Sequence, residues 1–558
     1  MKNQKIKWYK NGLVALGLLL AALYSVHAAE DDGWTEAEKG ASWDEWVIEW
    51  ESVKNDWTQI SLTPGENETE LNFAWYAPID LAGKPMVKIS LSPDMKDAIE
   101  YVGEASSAVD GYLSNKVVVI NLSPQTTYYY VYGQGEEWSE PIQVQTQSSD
   151  KFSFIVTGDP QIGSSRNNIP VGESEVLGQD NAARNDSFNW NQTLNQAMSL
   201  RENASFLINV GDQIQTRDKA QDQLLYTENE IEYAGYLSPV LLKSLPVATL
   251  IGNHDSPSGN YSFHFNNPNA TNLGQTMAGG GYYYSYGDVL FISINSNSED
   301  YEAHEELIRL AVESHPDATW RFVSLHHDIY GSGEHSNEPS IISKRYEFAP
   351  MFEKYGIDVV LTGHDHTYAR SKFLKGATKD ESVFLTDDEF GLYFDGKLES
   401  DKYYEAYLER VEDAGSIVEN DKISAGVVTN PEGIIYYTLG SASGSKYYEQ
   451  VEQEQAYIAN RWQANVPSFM IVDVEGDSIT MQTYRTDTLE LIDDAVTIQK
   501  VARLSDEGIN DDARVVEIYQ IQATDTALTS YTWITGASVC LVIIIISGIV
   551  LYVRKVKQ

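Results

Sequence analysis

Five short stretches of the chain carry side chains that can bind metal ions, and each of them follows a hydrophobic run. They are Gly158-Asp159-Pro160-Gln161, Gly211-Asp212, Gly252-Asn253-His254-Asp255, His326-His327-Asp328 and Gly363-His364-Asp365-His366. The preceding runs, such as 152–157 and 206–210, have the composition of buried strands. Because open α/β sheets build their sites outside the carboxyl ends of their strands, we expect all five stretches at the same edge of one sheet.

These ligand types predict a site for two metal ions that acts on a phosphoryl group. Two divalent ions about 3.5–4 Å apart can clamp a phosphoryl group and activate a water molecule. Asp212 is the expected bridge between the ions, because it follows a buried run with only glycine before it. Oxygen and nitrogen ligands without sulfur suit Mn, Fe, Zn or Co. The remaining predicted ligands are Asp159, Asn253, His326, His364 and His366.

The elements that must position these residues form a layered α/β domain over residues 149–500, where strand-like and helical stretches alternate. An acidic, tyrosine-rich insertion at about 375–428 carries no ligand cluster and is a candidate cap over the site. Residues 57–148 show short alternating runs at the spacing of a β-sandwich. In the acidic segment 29–56, tryptophans at helical spacing predict a short helix that docks on the next domain.

The two ends of the chain predict export and anchoring. Residues 1–28 combine a lysine-rich start, an apolar stretch and a small-residue cleavage pattern, which predicts a signal peptide, with an uncleaved anchor as the alternative. A stalk at 501–532 leads to the uncharged segment 533–553, which predicts a transmembrane helix. The basic tail 554–558 would be cytoplasmic. We therefore expect a single-pass protein of the cell membrane with an extracellular N-terminal ectodomain.

Charge and cysteine content exclude several kinds of partner and site. The formal net charge of −43 argues against nucleic acid or an anionic membrane surface as the main partner, since both need a basic face. A phosphate site in such a chain needs local positive charge, which metal ions supply. The single cysteine, Cys540, excludes an intrachain disulfide and a thiolate zinc site.

The five motifs, in this order, resemble those of the calcineurin-like metallophosphoesterase superfamily. The resemblance is strongest to purple acid phosphatases with an N-terminal fibronectin type III-like domain. It implies a β-sandwich followed by a four-layer α/β/β/α domain, with a phosphate ester as the substrate. It also implies two divalent or mixed-valence ions of Fe, Mn or Zn. By this resemblance one ion is held by Asp159, Asp212 and His366, and the other by Asp212, Asn253, His326 and His364.

His254 is the catalytic residue that the resemblance implies. It would stabilise the phosphoryl oxygens or protonate the leaving oxygen as a general acid. Two positions depart from the purple branch. Gln215 stands where that branch has a metal-binding tyrosine, so we expect a variant without the purple colour. Gln161 replaces a glycine and is either an oxygen ligand of the first metal or an outer hydrogen-bonding group.

Four neighbouring residues have weaker assignments. His335 is either a substrate-binding residue or an ordinary loop residue. Arg370 is either a phosphate-binding residue or a member of a buried ion pair. His327 is expected to orient the neighbouring ligand, and Asp255 to support His254 through a hydrogen bond.

The predicted function is a cell-surface phosphohydrolase that cleaves phosphate monoesters by attack of a metal-activated hydroxide. The same centre could serve a phosphodiesterase or a nucleotide hydrolase, because selectivity lies in loops rather than in the ligands. A surface adhesion protein with an inactive metal domain is the remote alternative. The complete ligand set argues against it.

Overall fold

The computed structural model describes residues 40–170, 173–216, 228–377, 384–418, 423–424 and 426–501. Within these ranges no helix is both long enough and apolar enough to cross a membrane, so the predicted fold class is corrected by removing its transmembrane helix. The segment behind that prediction, 533–553, lies outside the described residues, as do the predicted signal peptide and tail. The extracellular location rests on the same segments and stays a prediction.

The described helices are 5 to 23 residues long and are divided equally between the two halves of the chain. They are α1 (Ala41–Val53), α2 (Gly178–Leu200), α3 (Glu230–Leu237), α4 (Asn260–His264), α5 (Tyr301–Ser314), α6 (Pro339–Lys354), α7 (Asp387–Phe394) and α8 (Lys402–Val411). Three 3-10 turns lie at Ser164–Asn167, Val240–Lys243 and Ala414–Ser416.

The first domain is built from antiparallel strands in two sheets. Its strands are β1 (Ser61–Pro64), β2 (Leu71–Pro78), β3 (Met86–Ser90), β4 (Ile99–Val102), β5 (Glu104–Ser107), β6 (Tyr112–Val119), β7 (Thr127–Gln134), β8 (Glu137–Trp138) and β9 (Ile142–Gln145). One sheet has the order β1-β2-β6-β5 and the other β4-β3-β7-β8, with β9 also paired to β7. Phe73 and Tyr130, one from each sheet, meet in the core with ring centroids 5.0 Å apart.

The second domain contains two larger sheets. The strands of the first are β10 (Lys151–Thr157), β11 (Ala204–Asn209), β12 (Val247–Thr249), β18 (Ile423–Ser424), β19 (Val427–Thr429), β22 (Ser468–Glu475), β23 (Ser478–Arg485) and β24 (Val496–Gln499). The strands of the second are β13 (Tyr282–Tyr286), β14 (Val289–Ile294), β15 (Trp320–Leu325), β16 (Val359–Thr362), β17 (Tyr368–Ser371), β20 (Ile435–Thr438) and β21 (Ile458–Trp462). Their orders are β12-β11-β10-β22-β23-β24-β19-β18 and β13-β14-β15-β16-β20-β17-β21.

Three apolar layers hold these two sheets and their helices together. Aromatic residues from both sheets, such as Phe154 and Phe322, form the layer between the sheets. The outer face of the first sheet packs on α2 and α3 through residues such as Trp190. The outer face of the second packs on α5 and α6 through residues such as Leu307 and Phe352. The result is the α/β/β/α layering that the sequence predicts, in which central strands are buried on both faces.

The ligand-bearing loops follow strands of both sheets, which corrects the expectation of a single sheet. The parallel strands β10, β11 and β12 are neighbours in the first sheet, and β15 and β16 are parallel neighbours in the second. A hydrophobic run predicts a buried strand but carries no information on which of two stacked sheets it joins. The loops still converge, because the carboxyl ends of these strands meet at one edge of the sheet pair.

The first domain buttresses the loop region of the second. Thr63 and Asn72 donate hydrogen bonds to the carbonyl of Asn266, at 2.8 and 2.9 Å, and Ser114 donates to Phe263 at 2.6 Å. The accepting carbonyls lie within α4 and two residues after it, on the segment that follows the Gly252–Asp255 motif. This contact therefore supports the chain close to the predicted site.

Helix α1 docks on α2 of the second domain, whereas the sequence predicts docking on the domain that follows it directly. The indole N–H groups of Trp46 and Trp50 donate to the carbonyl of Arg184 and the carboxylate of Asp180. Trp43 packs edge-on against Phe188 with ring centroids 5.2 Å apart. Helical spacing identifies the buried face of a helix but does not identify its partner.

We expect Trp50→Ala to lower the free energy of unfolding by about 3 kcal/mol, because the side chain is 1% exposed and its removal leaves a cavity. Urea denaturation followed by circular dichroism measures the change. Ile48→Ala on the same helix is the matched control, since Ile48 is 77% exposed and should change the value by less than about 0.5 kcal/mol. Equal effects of the two substitutions would contradict the docking of α1.

Candidate metal centre

The ligand loops turn sharply where they leave their strands. Asp212, His364 and His366 have φ angles of 48°, 75° and 50°, in the left-handed region that residues other than glycine seldom adopt. Such conformations cost free energy and persist where the surrounding structure determines them, as at functional sites. Here they direct the side chains of consecutive loops toward one point.

Gly252 permits the closest approach between two of these loops. A Cβ atom at this position would lie 1.9 Å from Asp212 Oδ1 and 2.2 Å from the Asp212 backbone nitrogen. The loop that carries Asn253 and His254 can therefore lie against the loop that carries Asp212 only when residue 252 has no side chain. This explains why the motif begins with a glycine.

Three candidate ligand atoms surround a fourth, the Nε2 atom of His326. This atom lies 2.9 Å from Asn253 Oδ1, 3.3 Å from His364 Nδ1 and 3.5 Å from Asp212 Oδ1. Asn253 Oδ1 and His364 Nδ1 are 3.2 Å apart. Ligands of one ion, bound at about 2.1 Å, are separated by roughly 3.0–3.4 Å in tetrahedral or octahedral geometry. The four groups predicted to share the second ion therefore have the spacing that one ion requires.

Backbone carbonyls fix the tautomers of two histidines. His326 Nδ1 lies 3.0 Å from the carbonyl oxygen of Val210, and His366 Nδ1 lies 2.7 Å from that of Lys446. A carbonyl oxygen can only accept, so each Nδ1 carries the proton and each Nε2 presents its lone pair. Such hydrogen bonds orient metal-binding histidines. His366 Nε2 lies 3.8 Å from Asp159 Oδ1, so the two residues predicted to share the first ion are neighbours.

Two buried carboxylates provide the negative charge of the centre. Atoms of Asp159, Asp212 and His326 lie within 4.8 Å of one another, and all three residues are buried. Burial raises the pKa of the Asp159 carboxyl to about 7. Burial also acts to raise the pKa of Asp212, but His326 and His254 outweigh it and hold that pKa below its ordinary value. A cation placed here would stabilise the ionised form of both groups.

Gln161 lies against Asp212 and has an oxygen without a hydrogen-bond partner. Its Nε2 donates to Asp212 Oδ2 at 3.5 Å, and its backbone N–H donates to the Asp212 carbonyl at 2.8 Å. Its Oε1 is buried and accepts no hydrogen bond. Buried polar atoms are nearly always paired, so an orphaned oxygen beside two carboxylates fits an oxygen ligand for a cation. The donor set as a whole fits divalent metal ions.

His254 lies beside the Asp212 carboxylate, and its ring approaches the oxygen that does not face the four-ligand cluster. Its backbone N–H donates to Asp212 Oδ1 at 2.9 Å, and its Nδ1 donates to the carbonyl of Gln215. Its Nε2 lies 3.9 Å from Asp212 Oδ2, and 11% of the side chain is exposed. The ring is therefore oriented so that Nε2 can act on a group bound at the metal centre.

Glu232 holds the loop that orients His254, and sequence reasoning missed it. This buried carboxylate accepts hydrogen bonds from the backbone N–H groups of Gln215 and Thr216 at 3.0 and 2.7 Å. Gln215, which replaces the tyrosine of the purple branch, thus contributes its backbone to the site, and its side-chain Oε1 is buried without a hydrogen-bond partner. A lone glutamate in a helix forms no motif, so no sequence signal identifies it.

His335 lies next to the ligands. Its ring centroid is 5.1 Å from that of His364, and its Nδ1 contacts Glu338 Oε1 at 2.7 Å. Its backbone N–H donates to Asp365 Oδ1 at 2.9 Å. Burial acts to lower the pKa of His335, but the Glu338 and Asp365 carboxylates outweigh it and raise the pKa. The position suits substrate binding, one of the two alternatives that the sequence leaves open.

Arg370 lies in an ion pair rather than facing the ligands. Its Nε and Nη2 contact both carboxylate oxygens of Asp493, at 2.5 and 3.0 Å, and Tyr368 donates to the same carboxylate at 2.7 Å. This is the structural alternative for Arg370. The substrate-binding role gains no support from this geometry.

The two remaining neighbours support the ligand loops. His327 Nδ1 lies 2.8 Å from Ser296 Oγ, and its ring packs against His364 with centroids 4.8 Å apart. Asp255 Oδ2 accepts from the backbone N–H groups of Gly252 and Gln213 at 2.9 and 3.3 Å. Asp255 therefore braces two ligand loops through their backbones, whereas the sequence predicts a hydrogen bond to His254.

A serine-rich loop that follows β20 closes one side of the centre and was also missed. Ser441 Oγ donates to the carbonyl of Asp159 at 3.1 Å, and Ser443 Oγ donates to that of Pro160 at 2.5 Å. Further along the loop, Lys446 accepts from His366, and its Nζ lies 4.1 Å from the ring centroid of Tyr448. Small polar residues without metal-binding groups give no motif, although this loop places a cation beside the ligands.

Comparison with known proteins identifies both domains. Residues 152–368 match the calcineurin-like phosphoesterase family, and residues 57–146 match the purple acid phosphatase N-terminal domain. The chain therefore carries a calcineurin-like phosphoesterase domain preceded by a purple acid phosphatase N-terminal domain, as the motif order predicts. The phosphoesterase domain contains the candidate divalent metal centre described above. The fibronectin type III detail stays a prediction.

Individual relatives are distant. Two uncharacterized proteins of Mycobacterium tuberculosis, from strains CDC 1551 and H37Rv, are 28% identical over 149 residues, which is 23% of this chain. The matched stretch spans only 28% of the length of each relative. A purple acid phosphatase from seeds of yellow lupin (Lupinus luteus) has a TM-score of 0.53 at 14% identity, covering 79% of this chain and 74% of that one. A structure of PhoD has a TM-score of 0.47 at 9% identity, covering 78% and 92%.

We expect Gly252→Ala to weaken metal binding at least tenfold, because its Cβ would displace the Asp212 carboxylate and the loop that carries Asn253. Isothermal titration with Mn²⁺ or Zn²⁺ measures the affinity. Gly391→Ala is the matched control, since a Cβ there meets nothing within 4 Å. Unchanged metal affinity in Gly252→Ala would refute the close packing of these two loops.

Proposed function

We propose that this protein is a dinuclear metal-dependent phosphohydrolase that cleaves phosphate monoesters. The observation that carries the proposal is the convergence of Asn253, His326, His364 and Asp212 at the spacing of ligands around one ion. Gln161 lies 3.5 Å from Asp212 and His366 lies 3.8 Å from Asp159, and these residues are the ligands proposed for a second ion. The likeness to a purple acid phosphatase supports monoesters as the substrate class.

Asp212 is suited to join two ions because its two carboxylate oxygens face different groups. Oδ1 lies toward His326 at 3.5 Å, and Oδ2 lies toward Gln161 at 3.5 Å. Two divalent cations would polarise the phosphoryl oxygens and increase the acidity of a bound water. With Gln215 in place of a phenolate, we propose Mn, Zn or ferrous iron rather than the ferric centre of a purple enzyme.

His254 is proposed to donate a proton to the departing alkoxide. In its protonated form the ring keeps Nδ1–H on the Gln215 carbonyl and presents Nε2–H toward the centre. The neighbouring Asp212 carboxylate favours this charged form electrostatically. Glu232 holds the Gln215 backbone and so fixes the direction in which the proton is delivered.

We expect Asp212→Asn to lose both metal binding and hydrolysis, because a neutral carboxamide in the bridging position removes the charge that two cations share. Metal content by mass spectrometry and turnover of p-nitrophenyl phosphate are the measurements. Asp388→Asn, an exposed position in the first turn of α7, is the matched control. Full turnover by Asp212→Asn would rule out the bridging role.

We expect His254→Ala to retain its metal ions while kcat falls by about 10²–10⁴, the range of a general acid. Esters with good leaving groups should lose less, because their alkoxides need less help from a proton donor. His315→Ala, at the end of α5, is the control for removing an imidazole elsewhere. An equal loss for good and poor leaving groups would argue against proton donation by His254.

A further inference from the structure

A cavity of about 810 Å³ lies between helices α7 and α8 of the insertion and the segments that carry Glu334 and Glu449. Aromatic side chains of α7 and α8 form one wall, namely Phe390, Tyr393, Phe394 and Tyr404. The opposite wall is formed by Glu334 and Asn337 and by the segment 449–453. This volume is in the range of sites that bury an organic ligand of moderate size.

The wall opposite the insertion is continuous with the metal centre. Glu334 and Asn337 flank His335, whose ring packs on the ligand His364 with centroids 5.1 Å apart. The His335 ring also meets that of Tyr448 at 4.7 Å, and Tyr448 directly precedes the lining segment 449–453. An antiparallel bridge between Gly333 and Gln450 joins the two segments. One pair of rings, His335 and Tyr448, therefore connects the ligands with the cavity.

The insertion presents a preformed aromatic wall. Tyr393 and Tyr404 stack with centroids 4.5 Å apart and planes 10° apart, and Phe390 and Phe394 stack at 5.7 Å. Side-chain caps fix the starts of both helices, since Thr386 accepts from Glu389 and Asp401 accepts from Tyr403 and Tyr404. Phe394 remains 43% exposed although it lines a cavity. Such a wall offers ring faces and edges for packing against a planar ring.

The charges in the cavity have a single sign. Glu334, Glu449 and Glu452 line it, and none of its lining residues is a lysine or arginine. A negatively charged group would meet three carboxylates at close range, which is unfavourable. Gln450 also lines the cavity, and its Nε2 is buried without a hydrogen-bond partner. The cavity therefore offers aromatic contacts, and its carboxylates disfavour anions.

We propose that this cavity binds the leaving group of the substrate, an alcohol with a planar ring and no negative charge. This inference rests on the proposed phosphohydrolase function. In the reaction a water oxygen bonds to phosphorus as the bond from phosphorus to the ester oxygen breaks. The ester oxygen takes a proton, and the ring-bearing alcohol leaves with inorganic phosphate as the second product. Phenols and nucleosides are uncharged alcohols with a planar ring, whereas a nucleoside diphosphate has a ring but is negatively charged.

The first experiment compares kcat/KM for four esters with the full protein loaded with Mn²⁺. We expect 2-naphthyl phosphate or adenosine 5′-monophosphate to exceed glycerol 2-phosphate at least tenfold, and the better of the two identifies a phenol or a nucleoside. Adenosine triphosphate, whose leaving group is anionic, should be at least tenfold poorer than the monophosphate. Equal values for all four esters would overturn the proposal.

The second experiment places the effect in the cavity. Phe394→Ala should lower kcat/KM for the preferred ring-bearing ester about three- to tenfold and leave glycerol 2-phosphate unchanged. Leu392→Ala is the matched control, because Leu392 is a 40% exposed apolar residue of the same helix that does not line the cavity. Glu449→Gln with Glu452→Gln should raise turnover of adenosine triphosphate relative to the monophosphate. Equal losses in Phe394→Ala and Leu392→Ala would refute the assignment.

A binding measurement separates this inference from the proposed function. Titration with 2-naphthol and with adenosine, followed by calorimetry, reports occupancy of the cavity without catalysis. At least one of them should bind wild type more tightly than Phe394→Ala by about three- to tenfold, and Leu392→Ala should match wild type. If the wild type hydrolyses none of the four esters but binds the alcohol in this way, the phosphohydrolase proposal fails and the cavity assignment stands. If neither alcohol distinguishes Phe394→Ala from wild type, the cavity assignment fails, whatever the turnover.

Discussion

The placement of two carboxylates in a buried, crowded cluster constrains everything around the centre. Asp159 and Asp212 are both buried, with exposures of 0% and 2%, and their charges must be balanced by groups within reach. The structure surrounds them with imidazole rings, a carboxamide and backbone N–H groups. The His364 N–H, for example, donates to both oxygens of Asp159. These donors are brought to one point by three features. They are the left-handed turns of the ligand loops, the glycines that let two loops lie against each other, and the parallel strands.

The same constraint explains how a chain with a net charge of −43 can act on an anionic ester. Long-range electrostatics oppose the approach of a phosphate, so attraction must be local. A metal centre at the carboxylates, together with Lys446 on the adjoining loop, would provide that local charge, whereas the cavity on the other side of His335 is lined by glutamates. This distribution of charge would favour one orientation of the proposed substrate, with its phosphate at the metal centre and an uncharged ring in the cavity.

The sequence was sufficient to predict which candidate ligands lie together, but it did not predict the residues that support them. Metal-binding residue types after hydrophobic runs form local patterns, so Asp159, Asp212, Asn253 and the histidines can be selected as candidates without structural information. Glu232 and the serine-rich loop after β20 act through backbone groups from distant parts of the chain, and such contacts leave no local pattern. The assignment of β15 and β16 to a second sheet was missed for the same reason, since strand pairing is a tertiary property.

The insertion separates what the sequence can predict from what only the folded structure shows. Its tyrosines and lack of metal-binding groups suggested a cap, but only the folded arrangement shows that α7 and α8 turn stacked rings toward the segment that carries His335. Catalytic ligands lie on loops fixed by rigid strands, whereas the residues that contact the rest of a substrate lie on segments that vary without disturbing those strands. In the proposed reaction, the bond that is cleaved would depend on the residues at the strand ends, and the choice of ester would depend on the insertion. The insertion packs on α6 through Ile342 and Tyr346, outside the layer between the sheets, so the two properties can change separately.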